Sequence, residues 1–111
     1  MERRAHARTP VGCRGRVANV SEAAPAEVEV IDISIGGALM AYAEPVGLVV
    51  GERVVVSVTL HRTPVMLLGQ VIRIAHGTDF RTYVAVEFSA NQDVEVEQLE
   101  GEIAHRRSAS V

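Results

Sequence analysis

The sequence is poor in aromatic residues and in cysteine. Tryptophan is absent from its 111 residues, Phe and Tyr number two each, and the single cysteine is Cys13. One cysteine excludes a disulfide framework and a cysteine-based zinc cluster. Four aromatic residues that lie among acids are too few for the stacking surface of a barrel that binds RNA or single-stranded DNA.

Lysine is also missing, so all 11 basic residues are arginine. Codon bias explains this most simply, although guanidinium groups suit phosphate and guanine better than ammonium groups do. The formal net charge is −3. Arginines nevertheless crowd the start of the chain, at Arg3, Arg4, Arg8, Arg14 and Arg16. This distribution favours a small anionic partner over long nucleic acid, which requires a broadly basic face.

Long apolar runs are absent as well. No segment approaches the roughly 18 apolar residues of a membrane span, and no apolar stretch follows the basic N-terminus as it would in a signal peptide. We therefore expect one cytoplasmic domain without membrane insertion, large enough to bury a single core.

Short runs of Val, Ile, Leu and Ala fill most of the chain and favour β-strands. Residues 53–61 alternate most clearly between apolar and polar side chains. Their apolar face consists of Val54, Val56, Val58 and Leu60. Comparable runs predict strands at 11–20, 27–33, 38–42, 53–61, 65–74 and 81–88. The first alternates imperfectly and predicts a bulge. The pattern indicates an all-β, mainly antiparallel sandwich or closed barrel.

Helical spacing occurs only near the C-terminus, where Val96, Leu99 and Ile103 form a narrow apolar stripe. Ser89 and Gln92 fit a capping box, and Asn91 is a competing N-cap. We therefore divide the chain into three parts. They are an arginine-bearing arm at 1–10, a barrel domain with a short C-terminal helix at 11–107 and a disordered tail at 108–111.

A turn with the sequence Asp-Ile-Ser-Ile-Gly-Gly, residues 32–37, lies between two predicted strands. Asp32 and Ser34 occupy alternate positions of an extended segment and therefore point to the same side. Gly36 and Gly37 permit positive φ and a close approach to the backbone. Taken alone, the turn has two interpretations. Its polar side chains either cap their own backbone in a hairpin or contact a ligand.

The arm and the turn together resemble the PilZ domain family. The arm carries Arg-x-x-x-Arg at residues 4–8, and the turn carries Asp-x-Ser-x-x-Gly at residues 32–37. Both motifs occur in this order in an all-β chain that ends in a helix, and the resemblance covers essentially the whole chain. It implies a six-stranded β-barrel with one short C-terminal α-helix across one end. It also implies a receptor for the bacterial second messenger cyclic di-GMP.

The resemblance implies a set of ligand-binding residues, namely Arg3, Arg4, Arg8, Asp32, Ser34, Gly36 and Gly37. Arginine suits this ligand because its planar fork binds phosphate oxygens and the O6 and N7 atoms of guanine. Asp32 is expected to accept hydrogen bonds from N1–H and the N2 amine of guanine. Ser34 would add a hydrogen bond, and the glycines would let the backbone approach. The position of Arg3 is associated in the family with binding an intercalated pair of ligands.

One residue departs from the family pattern. Ala85 stands where the last strand usually has glycine, and its methyl group is expected to affect packing or ligand approach. The motif residues are intact, which argues against members that have lost the ligand. We expect a receptor that relays the signal to a separate, unidentified protein, with motility, polysaccharide export or gene expression downstream. The alternative is a PilZ-fold adaptor that does not depend on cyclic di-GMP.

Enzymatic chemistry finds little support in the sequence. The histidines show no metal-ligand spacing and are scattered along the chain, at His6, His61, His76 and His105. Ser34 lacks the context of a nucleophile elbow, and Cys13 on a strand is more often a small core residue than a nucleophile. We expect no cofactor and no catalysis. The Val-rich strands and the helix can support a homodimer.

Overall fold

The computed structural model describes residues 8–20, 25–43 and 47–109, with side chains as far as Arg106. Six strands and one helix follow one another along the chain. They are β1 (Thr9–Asn19), β2 (Ala26–Ser34), β3 (Gly37–Tyr42), β4 (Arg53–Thr59), β5 (Pro64–His76), β6 (Thr82–Phe88) and α1 (Asp93–Ala109). Most of the predicted arm lies outside the described residues.

The six strands form one closed barrel in the order β1-β2-β3-β6-β5-β4. Every neighbouring pair is antiparallel. Closure leaves no strand with a free row of backbone N–H and C=O groups, so the barrel has no exposed edge. The predicted six-stranded β-barrel with one C-terminal helix is confirmed.

The barrel interior contains the apolar face that alternation predicted. In β4 and just after it, Val54, Val56, Val58 and Leu60 are all buried. Side chains of a strand alternate between the two faces of a sheet, so one apolar face per strand fills a closed barrel. β-branched residues suit this role because they pack well on a pleated surface.

Strand β1 contains the bulge that its imperfect alternation predicts. Its pairing with β2 shifts between Pro10 and Cys13, and Gly12 within the shift has φ +55°. Glycine adopts this left-handed conformation without a steric penalty. Before the bulge, the start of β1 pairs with the end of β2, where Pro10 lies opposite Asp32.

A second bulge, in β2, is not visible in the sequence pattern. Strict alternation would place Asp32 on the same face as the buried Val28 and Val30. The register instead shifts between Val30 and Asp32, and Asp32 pairs with Leu39 of β3. Ile31 is therefore an extra residue, and Asp32 lies on the outer face of the barrel. Strict alternation is wrong at this position because the bulge inserts one residue.

Helix α1 contributes its predicted apolar stripe to the core. Leu99 and Ile103 are buried, and Val96 packs against the same cluster. The backbone C=O of Leu60 accepts a hydrogen bond from Nη1 of Arg106 at 3.3 Å, and that of Val11 accepts one from Nη2 at 2.6 Å. The C-terminal part of the helix is thereby tied to the end of β4 and to β1.

The predicted capping box is wrong. The helix begins at Asp93, four residues after Ser89, and its first hydrogen bond runs from the N–H of Val96 to the C=O of Gln92 at 2.8 Å. The side chain of Gln92 accepts from the N–H of Leu68 at 2.7 Å and donates to its C=O at 2.8 Å. Gln92 therefore continues the hydrogen bonding of β5 instead of capping the helix.

The predicted N-cap at Asn91 is also wrong, since Asn91 precedes the position that directly flanks the helix and has φ 65°. At its other end the helix runs through Ala109, which includes the first two positions assigned to the tail. Residues 110 and 111 lie outside the described part of the chain. In that part, no helix has the length and apolar character needed to cross a membrane.

Candidate functional site

The turn between β2 and β3 is a tight hairpin. Ser34 pairs with Gly37 across it, which leaves Ile35 and Gly36 as the loop. The hydroxyl oxygen of Ser34 accepts a hydrogen bond from the N–H of Gly36 at 3.1 Å. The capping role that the sequence left open for Ser34 is therefore present in the structure.

The glycines of this turn allow it to lie directly against β6. A Cβ added to Gly37 would be 2.4 Å from the carbonyl oxygen of Val86, well inside van der Waals contact. The C=O of Gly36 accepts a hydrogen bond from the N–H of Phe88 at 2.9 Å. Neither glycine has the positive φ that the sequence suggested. Close packing against a neighbouring strand is what excludes a side chain at Gly37.

An ion pair joins the end of the arm to this hairpin. Nη1 of Arg8 donates to Oδ1 of Asp32 at 2.6 Å, and the two side chains are 23% and 21% exposed. The pair connects the second arginine of Arg-x-x-x-Arg with the first residue of Asp-x-Ser-x-x-Gly. Two motifs separated by 24 residues of sequence therefore meet at one place on the outer face of the barrel.

The guanidinium of Arg8 is only partly satisfied by this pair. Its Nε atom is buried and has no hydrogen-bond partner among the described residues. Buried polar atoms in folded proteins nearly always have partners, so an isolated donor requires an explanation. A ligand that brings an acceptor oxygen to this atom provides one.

A small apolar surface lies beside Asp32. Leu39 of β3 pairs with Asp32 on one side and with Ala85 of β6 on the other. Val84 and Val86 belong to the core, so Ala85 between them faces outward. Its exposed fraction is only 3%. The methyl group of Ala85 therefore points away from the barrel interior, yet neighbouring groups on the outer side cover almost all of it.

A second polar cluster, which the sequence analysis missed, borders the same face. Arg81 forms an ion pair with Glu29 of β2, and its guanidinium lies 5.7 Å from the ring centre of Tyr83. The hydroxyl of Tyr83 donates to Oδ2 of Asp79 at 2.7 Å. Glu29 and Tyr83 both pair with Ala41 of β3, which lies between them. No local motif predicts a contact between residues 52 positions apart.

Hydrogen bonds shift the acidities of this cluster. The hydrogen bond from Tyr83 holds the pKa of the Asp79 carboxyl below its usual value, and the same bond raises the pKa of Tyr83. The hydrogen bond to Glu29 raises the pKa of Arg81. All three shifts favour the protonation states present at neutral pH, so the cluster keeps its charges there.

The described segments contain no candidate metal-binding group, and the thiol of Cys13 is not activated. Within residues 8–20, 25–43 and 47–109, no group of three His, Cys, Asp or Glu side chains could hold a metal ion. The rings of His61 and His105 lie 3.6 Å apart between their centres, and His105 belongs to α1. Burial raises the pKa of the Cys13 thiol and so disfavours its reactive thiolate form.

The structure thus brings together five of the seven residues singled out from the sequence. Arg8 contacts Asp32, and Ser34 contacts Gly36 in the adjoining hairpin. Gly37 completes that hairpin. Arg3 and Arg4 lie outside the described residues, so the first half of the arm motif has no described position.

Comparison with known families identifies the family of this chain. The profile of the PilZ domain family matches residues 2–105. The chain belongs to the PilZ domain family. A comparison with curated proteins by sequence gave no match.

Solved PilZ structures have the same fold at low sequence identity. The PilZ domain of YcgR from Escherichia coli with c-di-GMP superposes with a TM-score of 0.79 at 16% identity, covering 98% of this chain and 95% of that one. The PilZ domain of CeSA from a cellulose-synthesizing bacterium gives 0.68 at 22% identity, over 84% and 93%. The Bacillus subtilis inhibitor of motility MotI/DgrA gives 0.79 at 17% identity and 100% coverage of this chain. This PilZ domain spans about half of the MotI chain, or 54%.

Proposed function

We propose that this PilZ domain is a receptor for cyclic di-GMP that passes the signal to a separate protein. The observation that carries the proposal is the 2.6 Å ion pair between Arg8 and Asp32, which unites the two family motifs. The YcgR domain whose structure was solved with c-di-GMP has the same fold, which supports this choice of ligand.

Arg8 is suited to bind a phosphate of this ligand. Its Nη1 is held by Asp32, and its buried Nε lacks a partner in the described chain. The ion pair fixes the orientation of the guanidinium before the ligand arrives, which reduces the entropy lost on binding. A phosphate oxygen then accepts a charge-assisted hydrogen bond from Nε, one of the stronger polar contacts in proteins. Arg4 would provide a second guanidinium from the arm.

Asp32 is suited to read guanine. Oδ1 of the carboxylate accepts from Arg8, and Oδ2 makes no hydrogen bond with the residues that the structure describes. Guanine presents N1–H and an N2 amine on one edge, and both groups are donors that a carboxylate accepts. Adenine presents an acceptor at N1 instead, so the same contact selects against it. The hydroxyl of Ser34 and the backbone of Gly36 and Gly37 complete this side of the site.

The role we propose is that of a receptor and not of an enzyme. Ligand binding would change the surface around the arm and the β2–β3 hairpin, and a downstream protein would recognise that change. Motility is one candidate process, because a protein of this fold is an inhibitor of motility in Bacillus subtilis. Arg3 suggests an intercalated pair of ligands, and a cytoplasmic location remains a prediction.

Titration calorimetry of the whole chain with cyclic di-GMP tests the proposal. We expect saturable heat at tens of micromolar protein or below, with cyclic di-AMP a poor competitor. A stoichiometry of two ligands per chain would support the intercalated pair, and a stoichiometry of one would exclude it. Absence of heat would favour the adaptor alternative, while salt-dependent binding to an oligonucleotide would favour a nucleic-acid function.

Replacing Asp32 with alanine tests the reading of guanine. A well-placed contact between a side chain and a base edge contributes about 1–3 kcal/mol of discrimination, which corresponds to roughly 5- to 150-fold. We expect Asp32→Ala to weaken cyclic di-GMP binding by a factor in this range. The ratio of the affinity for cyclic di-GMP to that for cyclic di-AMP should fall in parallel. An unchanged preference would show that another residue reads the base.

A further inference from the structure

The paired residues Leu39 and Ala85 are flanked by a bulge on each side. The bulge in β2 lies just before Asp32, which pairs with Leu39. In β5 the register shifts between Val71 and Arg73, and Arg73 pairs with Ala85. The paired residues therefore form one row across β2, β3, β6 and β5, namely Asp32, Leu39, Ala85 and Arg73. The row begins with a carboxylate and ends with a guanidinium, with two apolar residues between them.

The partner strand shows which way Arg73 points. Val84 and Val86 of β6 lie in the core, so Ala85 between them faces outward. Paired residues of adjacent strands share a face of the sheet. Arg73 therefore lies on the outer face, the same face as the Arg8–Asp32 ion pair.

The bulge is what keeps Arg73 outside. Val71 is buried in the core, with an exposed fraction of 1%. Strict alternation from Val71 would direct Ile72 outward and Arg73 into the barrel. The extra residue Ile72, itself 49% exposed, shifts the alternation by one residue, so Arg73 also faces outward.

Arg73 is also without an internal role. It is exposed, and the structure gives it no hydrogen bond or ion pair with any described residue. Arg81, on the same face, differs because it is paired with Glu29. An arginine that a bulge holds on this face without a partner is available to an anionic ligand.

We infer that Arg73 forms the far wall of the ligand site and contacts the half of the cyclic dinucleotide away from Arg8. The inference rests on the proposed function. Three steps between strands separate Asp32 from Arg73, or about 14 Å at the usual spacing of about 4.8 Å. A ligand with two phosphates and two guanines can be met from both ends across this row. The fork of Arg73 binds a phosphate or the O6 and N7 atoms of the second guanine.

Calorimetry with cyclic di-GMP on four forms of the whole chain tests the inference. The forms are wild type, Arg73→Ala, Arg73→Lys and the control Arg53→Ala. Arg53 is likewise an exposed strand arginine, but it lies on β4, outside the row that joins Asp32 to Arg73 across β2, β3, β6 and β5. We expect Arg73→Ala to weaken binding about 10- to 100-fold. Arg73→Lys should bind with intermediate affinity, because it keeps the charge without the fork.

The control should bind within about 2-fold of wild type, as expected for a surface charge without a specific contact. Without ligand, each variant should have the same Tm as wild type, because Arg73 and Arg53 are exposed. Wild-type affinity in Arg73→Ala would overturn this inference and leave the receptor proposal standing. An equal loss in Arg53→Ala, or a lowered Tm confined to Arg73→Ala, would also overturn it. A wild-type chain that does not bind would overturn both proposals.

Discussion

Two arginines near the start of β1 use their guanidinium groups differently. Arg106, on helix α1, donates to the backbone C=O groups of Val11 and Leu60. Arg8, directly before β1, donates to Asp32 and retains a buried Nε without a partner in the described chain. The helix end of the barrel is thus tied together by internal hydrogen bonds, whereas Arg8 on the outer face retains a donor without a partner among the described residues.

We expect Arg106 to contribute to the stability of the fold and Arg8 to the affinity for a ligand. An arginine that satisfies backbone carbonyls stabilises the folded state, because removing it leaves acceptors unpaired. An arginine with a free donor contributes to affinity when a ligand supplies the acceptor. The two residues should therefore respond oppositely to substitution, and the following predictions test this contrast.

The largest expected effect is on the packing that supports the outer face. Gly37→Ala would bring Cβ to 2.4 Å from the carbonyl oxygen of Val86. Overpacking costs typically 1–3 kcal/mol, and we expect about 3 kcal/mol here because the obstacle is backbone. For a chain of this size the Tm should fall by roughly 10 °C. Thermal denaturation followed by circular dichroism measures the change.

Gly101→Ala is the matched control for this substitution. A Cβ at Gly101 meets nothing within 4 Å, and alanine favours a helix interior over glycine by about 1 kcal/mol. Its Tm should rise slightly. A similar fall in both variants would show that close contact with β6 does not explain Gly37.

The next effect concerns binding alone. Arg8→Ala removes charge-assisted hydrogen bonds worth roughly 2–3 kcal/mol, so affinity for cyclic di-GMP should fall about 30- to 150-fold. The Tm of the ligand-free protein should barely change, because partly exposed ion pairs contribute little to stability. Calorimetry and thermal denaturation measure the two quantities. Unfolding of the ligand-free variant would assign Arg8 a structural role and remove the contrast with Arg106.

The reverse result is expected at the helix end. Arg106→Met keeps the apolar stem and removes the donors to Val11 and Leu60, which should lower the free energy of unfolding by about 1–2 kcal/mol. Affinity for cyclic di-GMP should change by less than about 2-fold. Urea denaturation and calorimetry on the same preparation give both values. A large loss of affinity at unchanged stability would mean that Arg106 serves the ligand.

The smallest expected effect is a shift of a pKa in the polar cluster formed by Glu29, Asp79, Arg81 and Tyr83. Tyr83→Phe removes the hydrogen bond that lowers the pKa of Asp79, so this pKa should rise toward its usual value. A lowered carboxyl pKa stabilises the fold above the unfolded-state pKa, and this contribution is lost as pH falls through the folded-state value. Tyr83→Phe should therefore lack this stabilising contribution at neutral pH. Carbon-detected NMR titration of Asp79 measures the shift, and an unchanged pKa would contradict the assigned cause.

Much of the fold could be predicted from local patterns. Alternation in residues 53–61 identified a buried face, and the stripe at Val96, Leu99 and Ile103 identified the helix. These patterns are readable because the geometry of a strand or helix fixes which neighbours in sequence share a face. The start of the helix was predicted wrongly because the side chain of Gln92 is engaged by β5, a strand distant in sequence.

The candidate site was predictable as a list of residues but not as an arrangement. The motifs singled out Arg8 and Asp32, yet simple alternation would have buried the carboxylate. The contact between Arg81 and Glu29 and the outward direction of Arg73 had no signal in the sequence. They depend on cross-strand register, which is set by pairing between segments that no local pattern connects.

Six strands, one helix, their apolar faces and the residues of the two family motifs could be predicted from the sequence alone. These follow from periodicity and side-chain chemistry, which are local properties. Only the tertiary structure decided that Asp32 and Arg73 face outward on one row, because two bulges reverse their alternation. Tertiary contact also decided that Gly37 is required by β6. Such outcomes depend on how distant strands meet when the barrel closes.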